Sequence, residues 1–341
     1  MQHAELFAEL ARRVAFSPAF DLSPTTASRA NDSPFGSSRR PRSHVSVENL
    51  LVKPSLLCTL GHIASTRELT KRGVSQYRIS RGVSEGKILR IRQGIYGCAH
   101  VETASRIAAS VGGAITCVSV LREAGVWAGN SRLVHVQLSS GARRPAVIGV
   151  KAHWEVPRFE METPWRAGRM QALWRAIHCL DEENAIAAME SAVQKKFLIL
   201  DDVRRIGRLA PRRLHPAAMN LVPNSGSGNE TIVRRRLQAV GYVVESQAHV
   251  PGMGHQDILV EGCLGIEVDG REWHGEDRFE EDHRRILHAA GLGRHTLQLS
   301  TKQVHQTWPS TLAVIQRSVE DAVRDRDRRH RRTLIALNDP L

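Results

Sequence analysis

Three acidic residues lie close together in the C-terminal third of the chain, on two short apolar segments. Asp257 belongs to QDILVE, while Glu267 and Asp269 belong to LGIEVDG. A hairpin that turns near Gly262 sets Asp257 opposite Glu267, with Cβ atoms roughly 4.5 to 5.5 Å apart. Carboxylates in such a position repel each other unless a cation or a proton lies between them, and oxygen ligands favour Mg²⁺ or Mn²⁺ over zinc. A register slip of one residue would send the two side chains to opposite faces of the sheet.

A fourth acid, Glu230, precedes these strands on a predicted helix that is capped by Ser227 or Asn229. Glu230 is one turn before Val233, on the face that the spacing predicts to be buried. The rest of this buried stripe consists of Leu237 and Val240. The pattern therefore aims a carboxylate inward, although an acid in a first turn also suits the helix dipole.

The elements that would position these acids follow an α/β order. The helix is followed by three strands, YVVESQAHV, QDILVE and LGIEVDG, then by a helix from Asp277 to Ala290 and the strand HTLQLS. This order resembles the restriction-endonuclease-like αβββαβ core of the PD-(D/E)xK superfamily. It is most similar to the DUF559 group, which is related in form to very-short-patch-repair endonucleases. The resemblance covers about residues 225–319. The matching residues are Glu230, Asp257, the EVDG motif at 267–270, His274, Asp282 and Arg285.

The resemblance implies metal-dependent hydrolysis of phosphodiester bonds. Asp257, Glu267 and the Val268 carbonyl would hold Mg²⁺ or Mn²⁺, and Glu230 would orient the waters of that ion or bind a second one. The superfamily lysine two residues after the second acid is replaced by Asp269, which is expected in the DUF559-like variant. The residues that would act in place of the lysine, or support the site, are His274, Arg271, Asp282 and Arg285. His274 is equally suited to a capping or stacking role beside Trp273.

A second pattern lies near the N-terminus, between residues 46 and 100. Ser65 or Thr66 with Glu68 marks one helix start, and Val74-Ser75 marks another after a Lys-Arg-Gly stop. The following ILRIRQGIYG alternates basic and apolar residues and ends in a glycine turn, as a β-wing does. This stretch resembles the winged helix-turn-helix of AbiEi-family antitoxins from type IV toxin-antitoxin systems. The resemblance places six residues at DNA: Ser75, Gln76, Arg78 and Arg81 on the recognition helix, and Arg90 and Arg92 on the wing. Winged helices also bind proteins, and these arginines would then be solvated.

The remaining sequence predicts a multi-domain α+β and α/β protein. The predicted divisions are a poorly ordered tail (1–45), the winged helix-turn-helix (46–100), a mixed α/β middle domain (101–210), a linker (211–228), the nuclease-like domain (229–323) and a basic tail (324–341). The five cysteines are scattered without a CxxC pair, which argues against a structural zinc or redox site. His178 beside Cys179 is accordingly interpreted as packing.

The charge balance favours a polyanionic partner. The chain has 48 Lys plus Arg against 35 Asp plus Glu, a net charge of +13 and a pI near 10.3. The sequence predicts a cytoplasmic protein without a membrane span.

We expect a DNA-binding, Mg²⁺-dependent endonuclease in a defence or toxin-antitoxin-like context. Double-stranded DNA is the main expected partner, and RNA is an alternative substrate that the sequence does not exclude. Cutting both DNA strands would require two active sites, which a homodimer would supply. The resemblance to antitoxins also implies a toxin as a protein partner. The alternative is a catalytically inactive DNA-binding transcriptional regulator or antitoxin-like protein.

Overall fold

The computed structural model describes residues 54–143, 145, 147–250, 254–269 and 295–338. The predicted tail at 1–45 and the candidate site residues Arg271, His274, Asp282 and Arg285 lie outside these ranges. The protein is a mixed α/β protein with several sheets. Its chain divides into two compact units. The first comprises the described residues up to Ile115 with Val136–Val156 and Thr163–Arg166, and the second comprises Thr116–His135, Pro157–Glu162 and the chain from Ala167 onward.

The first unit begins with three short helices and a small sheet. The helices are α1 (Pro54–Thr59), α2 (Thr66–Lys71) and α3 (Gln76–Ser84), and the strands are β1 (Ile63–Ser65), β2 (Leu89–Arg92) and β3 (Ile95–Gly97). The strand order is β1-β3-β2, and both pairings are antiparallel. Ser65 forms a capping box with Glu68 at α2, and Ser75 caps α3, so both predicted helix starts are confirmed. Leu57, Leu69, Ile79 and Ile88 form the core beneath these elements.

The next elements are short helices and strands. They are α4 (Thr103–Ser110), β4 (Ala114–Ile115), α5 (Cys117–Glu123), β5 (Val134–Gln137), β6 (Val150–His153), β7 (Met161–Thr163) and β8 (Arg166–Ala167). The strands have the order β6-β5-β4-β8-β7. Strand β4 pairs antiparallel with β5 and parallel with β8.

Helices dominate the following part of the second unit. They are α6 (Arg169–Cys179), α7 (Glu182–Gln194), α8 (Leu200–Arg208) and α9 (His215–Met219). The segment 211–228, predicted as a linker, contains a 3-10 helix (Arg212–Leu214) and α9. Leu214 and Ala218 are fully buried there. This segment therefore packs as part of the second unit.

The acidic residues lie on a four-stranded sheet in the second unit. The elements are α10 (Gly228–Ala239), β9 (Val244–Val250), β10 (Gly254–Val260), β11 (Leu264–Asp269), β12 (His295–Ser300), α11 (Thr301–His305) and α12 (Trp308–Asn338). The strand order is β12-β11-β10-β9, with antiparallel pairing from β9 to β11 and parallel pairing of β11 with β12.

Helix α10 packs its apolar face into the core of this sheet. Val233 and Leu237 are fully buried in a cluster that contains Ile258, Ile266 and other strand residues. The prediction that Val240 continues this stripe is wrong, since its side chain is 48% exposed. The helix ends at Ala239, so Val240 follows the last turn and leaves the helical face. Within the part of the chain that the structure describes, no helix combines the length and apolar character of a membrane span.

Candidate nucleic-acid interface and acidic site

Helix α3 presents polar side chains to solvent. Ser75, Gln76 and Arg81 are exposed and Arg78 is half-buried, while Ile79 packs inward. The Ser75 hydroxyl accepts a hydrogen bond from the Arg78 backbone N–H at 3.4 Å, so it caps the helix. The outward face therefore carries an amide and two guanidinium groups, the donor types that contact phosphates and base edges.

Arg81 forms an ion pair with Glu85, four residues farther along the chain. Its Nε donates to Glu85 at 2.7 Å, and Lys87 approaches the same carboxylate at 2.8 Å. Glu85 thereby raises the pKa of Arg81 through hydrogen bonding and charge. Because Glu85 neutralises part of this charge, Arg81 is a weaker candidate for a phosphate contact than Arg78.

The β2–β3 hairpin carries the two other predicted DNA-binding arginines. Arg90 and Arg92 are both exposed, and Ile91 between them is buried. The register shifts between Arg90 and Arg92, as at a β-bulge. The Arg92 guanidinium lies against Gly112, where an added Cβ would be 3.7 Å from it. Arg90 is consequently the more accessible cation of the hairpin.

The predicted register of the acidic hairpin agrees with the structure. Strands β10 and β11 pair through Ile258↔Ile266, Leu259↔Gly265 and Val260↔Leu264 around a turn at Gly262. Continuing this register by one pair sets Asp257 opposite Glu267. The Val268 backbone N–H donates to Asp257 Oδ2 at 3.0 Å, which fixes the carboxylate over β11. Whether the Val268 carbonyl ligates a metal remains a prediction.

Glu230 reaches the same region from the first turn of α10. Its side chain is 5% exposed, as the inward orientation predicted. Glu230 Oε2 accepts from the Gly226 backbone N–H at 2.6 Å and from Gln247 Nε2 at 2.9 Å. Gln247 Nε2 also lies 3.3 Å from Asp257 Oδ1. One amide group thus stands between two carboxylates and donates to both.

The electrostatics of Glu230 follow from this arrangement. Burial and the nearby charge of Asp257 raise the pKa of Glu230 to about 7. The hydrogen bonds from Gly226, Ser227 and Gln247 act in the opposite direction and do not outweigh these two effects. Glu230 is therefore a carboxyl group that exchanges its proton near neutral pH.

The three carboxylates fit a hard cation only in part. Among the described residues, the groups of three or more potential ligands whose ligand atoms all lie within 4.8 Å of one another consist of cysteines and histidines. Glu230, Asp257 and Glu267 do not form such a group. Asp257 and Glu267, opposite each other on paired strands, supply two oxygen donors, whereas Gly226 and Gln247 already engage Glu230. For Asp269 the structure describes the backbone in β11 alone.

Sequence reasoning missed Gln247 and two cysteine-histidine clusters. Gln247 lies within the predicted strand YVVESQAHV, and the structure shows that its backbone has φ 50° and that its amide donates to two of the acids. The first cluster contains Cys58, Cys98 and His100. The second includes Cys117, His135 and Cys179. Burial raises the pKa of the Cys98 thiol, and it raises that of Cys117 well above its ordinary value.

These clusters bring together cysteines that are scattered in the sequence, so the lack of a CxxC pair does not exclude a metal site. Cys58 and Cys98 are 40 residues apart in sequence, and the fold alone brings them together. His178 does pack, as predicted, with its ring 4.7 Å from that of Trp174. Its neighbour Cys179 instead lies 3.8 Å from His135 Nδ1.

A comparison with known protein families finds a match to one part of the chain. Residues 60–97 match the family described as "Transcriptional regulator, AbiEi antitoxin". The matched segment begins just before β1 and ends with β3, so it includes α2, α3 and the hairpin. It covers 38 of the 341 residues and does not reach the acidic strands. No curated protein matches the chain. The similarity to AbiEi antitoxins thus falls on the segment that carries all six predicted DNA-binding residues.

Proposed function

We propose that this protein is a DNA-binding regulator of the AbiEi antitoxin type, and that α3 and the β2–β3 hairpin form a winged helix-turn-helix. The observation that carries the proposal is the coincidence of the family match with these elements. Two capped helices are followed by an antiparallel hairpin, which is the element order of a winged helix. The same family description makes a toxin the candidate protein partner.

The exposed side chains divide into two roles in this proposal. Gln76 lies in the first turn of α3, the end of a recognition helix that contacts base edges, and its amide matches the edge of adenine. Arg78 and Arg90 offer charge to phosphates, which positions the protein without reading sequence. Arg81 contributes less because Glu85 holds it.

The test is selection of binding sites from a randomised duplex library with the full-length protein. We expect a defined consensus, and we expect Gln76→Ala to relax it at one base pair, with a loss of roughly 1 to 3 kcal/mol in discrimination there. Arg132→Gln, an exposed change in the other unit, is the control and should leave the consensus intact. Recovery of no consensus by the wild type, or an identical consensus with Gln76→Ala, would contradict this role for α3.

A second candidate function is metal-dependent cleavage of DNA by the second unit. It is favoured by the register that sets Asp257 opposite Glu267, together with the elevated pKa of Glu230 beside Asp257. The observed order of α10, β9, β10, β11 and β12 is the order expected of a restriction-endonuclease-like core, over the residues that the structure describes. This function and DNA binding by the first unit are compatible in one protein.

The residues of this chain would divide the work of cleavage as follows. Asp257 and Glu267 would hold Mg²⁺, which supplies charge neutralisation and an acidified water when bound. The Val268 N–H and the Gln247 amide hold the Asp257 carboxylate in place. Glu230, with a pKa of about 7, is suited to accept a proton from a water at neutral pH.

Cleavage of supercoiled plasmid and single-stranded DNA with Mg²⁺, Mn²⁺ or EDTA tests this second function. We expect metal-dependent nicking that Asp257→Asn and Glu267→Gln each reduce by at least about a hundredfold, the scale of a lost transition-state contact. Glu245→Gln is the matched control, because Glu245 is an exposed acid on the neighbouring strand β9. Absence of cutting by the wild type in either metal, or equal cutting by Asp257→Asn, would leave the regulator as the sole function.

A further inference from the structure

We propose that Cys58, Cys98 and His100 bind a zinc ion in the first unit. The ligand atoms of these three residues all lie within 4.8 Å of one another. Cys58 Sγ is 3.6 Å from Cys98 Sγ and 3.5 Å from His100 Nδ1. None of these residues belongs to the acidic strands or to the six predicted DNA-binding residues, and their chemistry calls for a different metal.

The spacing of the ligand atoms agrees with tetrahedral zinc. Bonds of about 2.3 Å to sulfur and about 2.0 Å to nitrogen separate neighbouring ligand atoms by roughly 3.4 to 3.8 Å in a tetrahedron. The distances of 3.6 Å and 3.5 Å fall inside this range. Thiolate and imidazole donors select zinc over the hard ions that the carboxylates favour.

The backbone brings the ligands together from three positions. Cys58 lies in the last turn of α1, Cys98 directly follows β3, and His100 is two residues farther along. The Cys98 N–H donates to the His62 carbonyl at 3.1 Å, and the His62 N–H donates to the Leu57 carbonyl at 2.7 Å. These bonds tie the end of α1 to the end of β3 through the turn at His62.

His62 is the candidate for a fourth ligand. Its Nδ1 lies 3.2 Å from Cys98 Sγ. His62 also has φ 70°, a left-handed conformation that costs most residues free energy and that histidine adopts more often than average. The turn therefore places the His62 imidazole beside the Cys98 thiol, although His62 lies outside the group of three whose ligand atoms are all within 4.8 Å of one another.

A zinc ion here would stabilise the first unit. Helix α1 has six residues, too few for independent stability, and it contributes Leu57 to the core. Linking Cys58 to Cys98 and His100 through one ion would hold α1 against the end of β3. Metal binding that requires the folded geometry adds its free energy to folding.

The experiment measures zinc bound to the full-length protein purified without chelators from zinc-supplemented culture. Because Cys117, His135 and Cys179 offer another set of ligands, the readout is the difference from wild type. We expect His100→Asn, Cys58→Ser and Cys98→Ser each to bind one equivalent of zinc less than wild type. After loading with cobalt, each variant should show weaker thiolate-to-metal absorption than the cobalt-loaded wild type. The matched control is Cys263→Ser, a buried cysteine of the second unit, which should keep the wild-type content.

His100→Asn keeps the test decisive if a cysteine variant fails to fold, because the His100 side chain is exposed. Its zinc content should fall while its circular dichroism spectrum at low temperature stays close to wild type. Equal zinc in His100→Asn and wild type would overturn the proposal. Isolation of Cys58 and Cys98 as a disulfide from zinc-supplemented cells would also overturn it and assign the pair to redox chemistry.

Discussion

Gln247 resolves much of the repulsion between Glu230 and Asp257. The Gln247 amide donates to both of these carboxylates, whereas the predicted cation concerns Asp257 and Glu267. Asp257 is satisfied further by the Val268 N–H. Burial, together with the remaining repulsion from Asp257, raises the pKa of Glu230 to about 7. A cation at Asp257 and Glu267 would lower that pKa, so proton release and metal binding are linked at this site.

The elevated pKa of Glu230 predicts a pH-dependent stability. Between pH 4.5 and about 7 the folded protein holds a proton that the unfolded chain releases, so the free energy of unfolding falls as pH rises through this window. The effect is on the order of 2 to 3 kcal/mol. Urea denaturation in EDTA at pH 5 and pH 8 should show this loss in wild type and in the exposed control Glu245→Gln, but not in Glu230→Gln. The same pH dependence in Glu230→Gln and wild type would contradict the assignment.

Helices α7 and α10 are joined by a buried ion pair. Arg234 Nη2 lies 2.7 Å from Glu190 Oε2, and the two side chains are 3% and 2% exposed. Thr231 and the Val222 N–H donate to the same carboxylate at 2.9 Å and 3.0 Å. A buried carboxylate with this many donors is well satisfied only while Arg234 is present. The network holds α10, and with it Glu230, against the preceding helices.

Arg234→Met should therefore destabilise the second unit strongly. Removal of the guanidinium leaves the Glu190 charge buried, which costs about 3 to 5 kcal/mol. The double variant Glu190→Met, Arg234→Met removes both charges and should recover much of that loss. Chemical denaturation monitored by tryptophan fluorescence provides the comparison. A cost below about 1 kcal/mol for Arg234→Met would show that water reaches the pair.

Local signals in the sequence predicted some elements and missed others for physical reasons. Ser65, Ser75 and the turn at Gly262 act within a few residues, so the helix starts and the β10–β11 register follow from short-range chemistry. The approach of Cys58 to Cys98 depends on tertiary packing, and no spacing rule reports it. The position of Gln247 depends on a left-handed backbone conformation within β9, which a glutamine at this position does not predict.

At the scale of the whole molecule, the residues proposed to bind DNA and those proposed to cleave it lie in different units. The net charge of +13 favours association with nucleic acid throughout, while the residues proposed to recognise DNA lie in the first unit. The acids proposed to cleave it lie in the second unit. Specific binding and cleavage should consequently respond to different substitutions, and Asp257→Asn should leave DNA affinity unchanged.

The most direct test of the central claim is the salt dependence of binding to the selected duplex. Each phosphate contact contributes about 0.9 to the slope of log K against log salt concentration. Fluorescence anisotropy should show that Arg78→Gln with Arg90→Gln reduces the magnitude of the wild-type slope by about 2. Arg208→Gln with Arg212→Gln removes the same charge from exposed positions of the second unit and should leave it unchanged. Equal slopes for wild type and the Arg78, Arg90 variant, or a larger loss in the control, would contradict DNA binding through α3 and the β2–β3 hairpin.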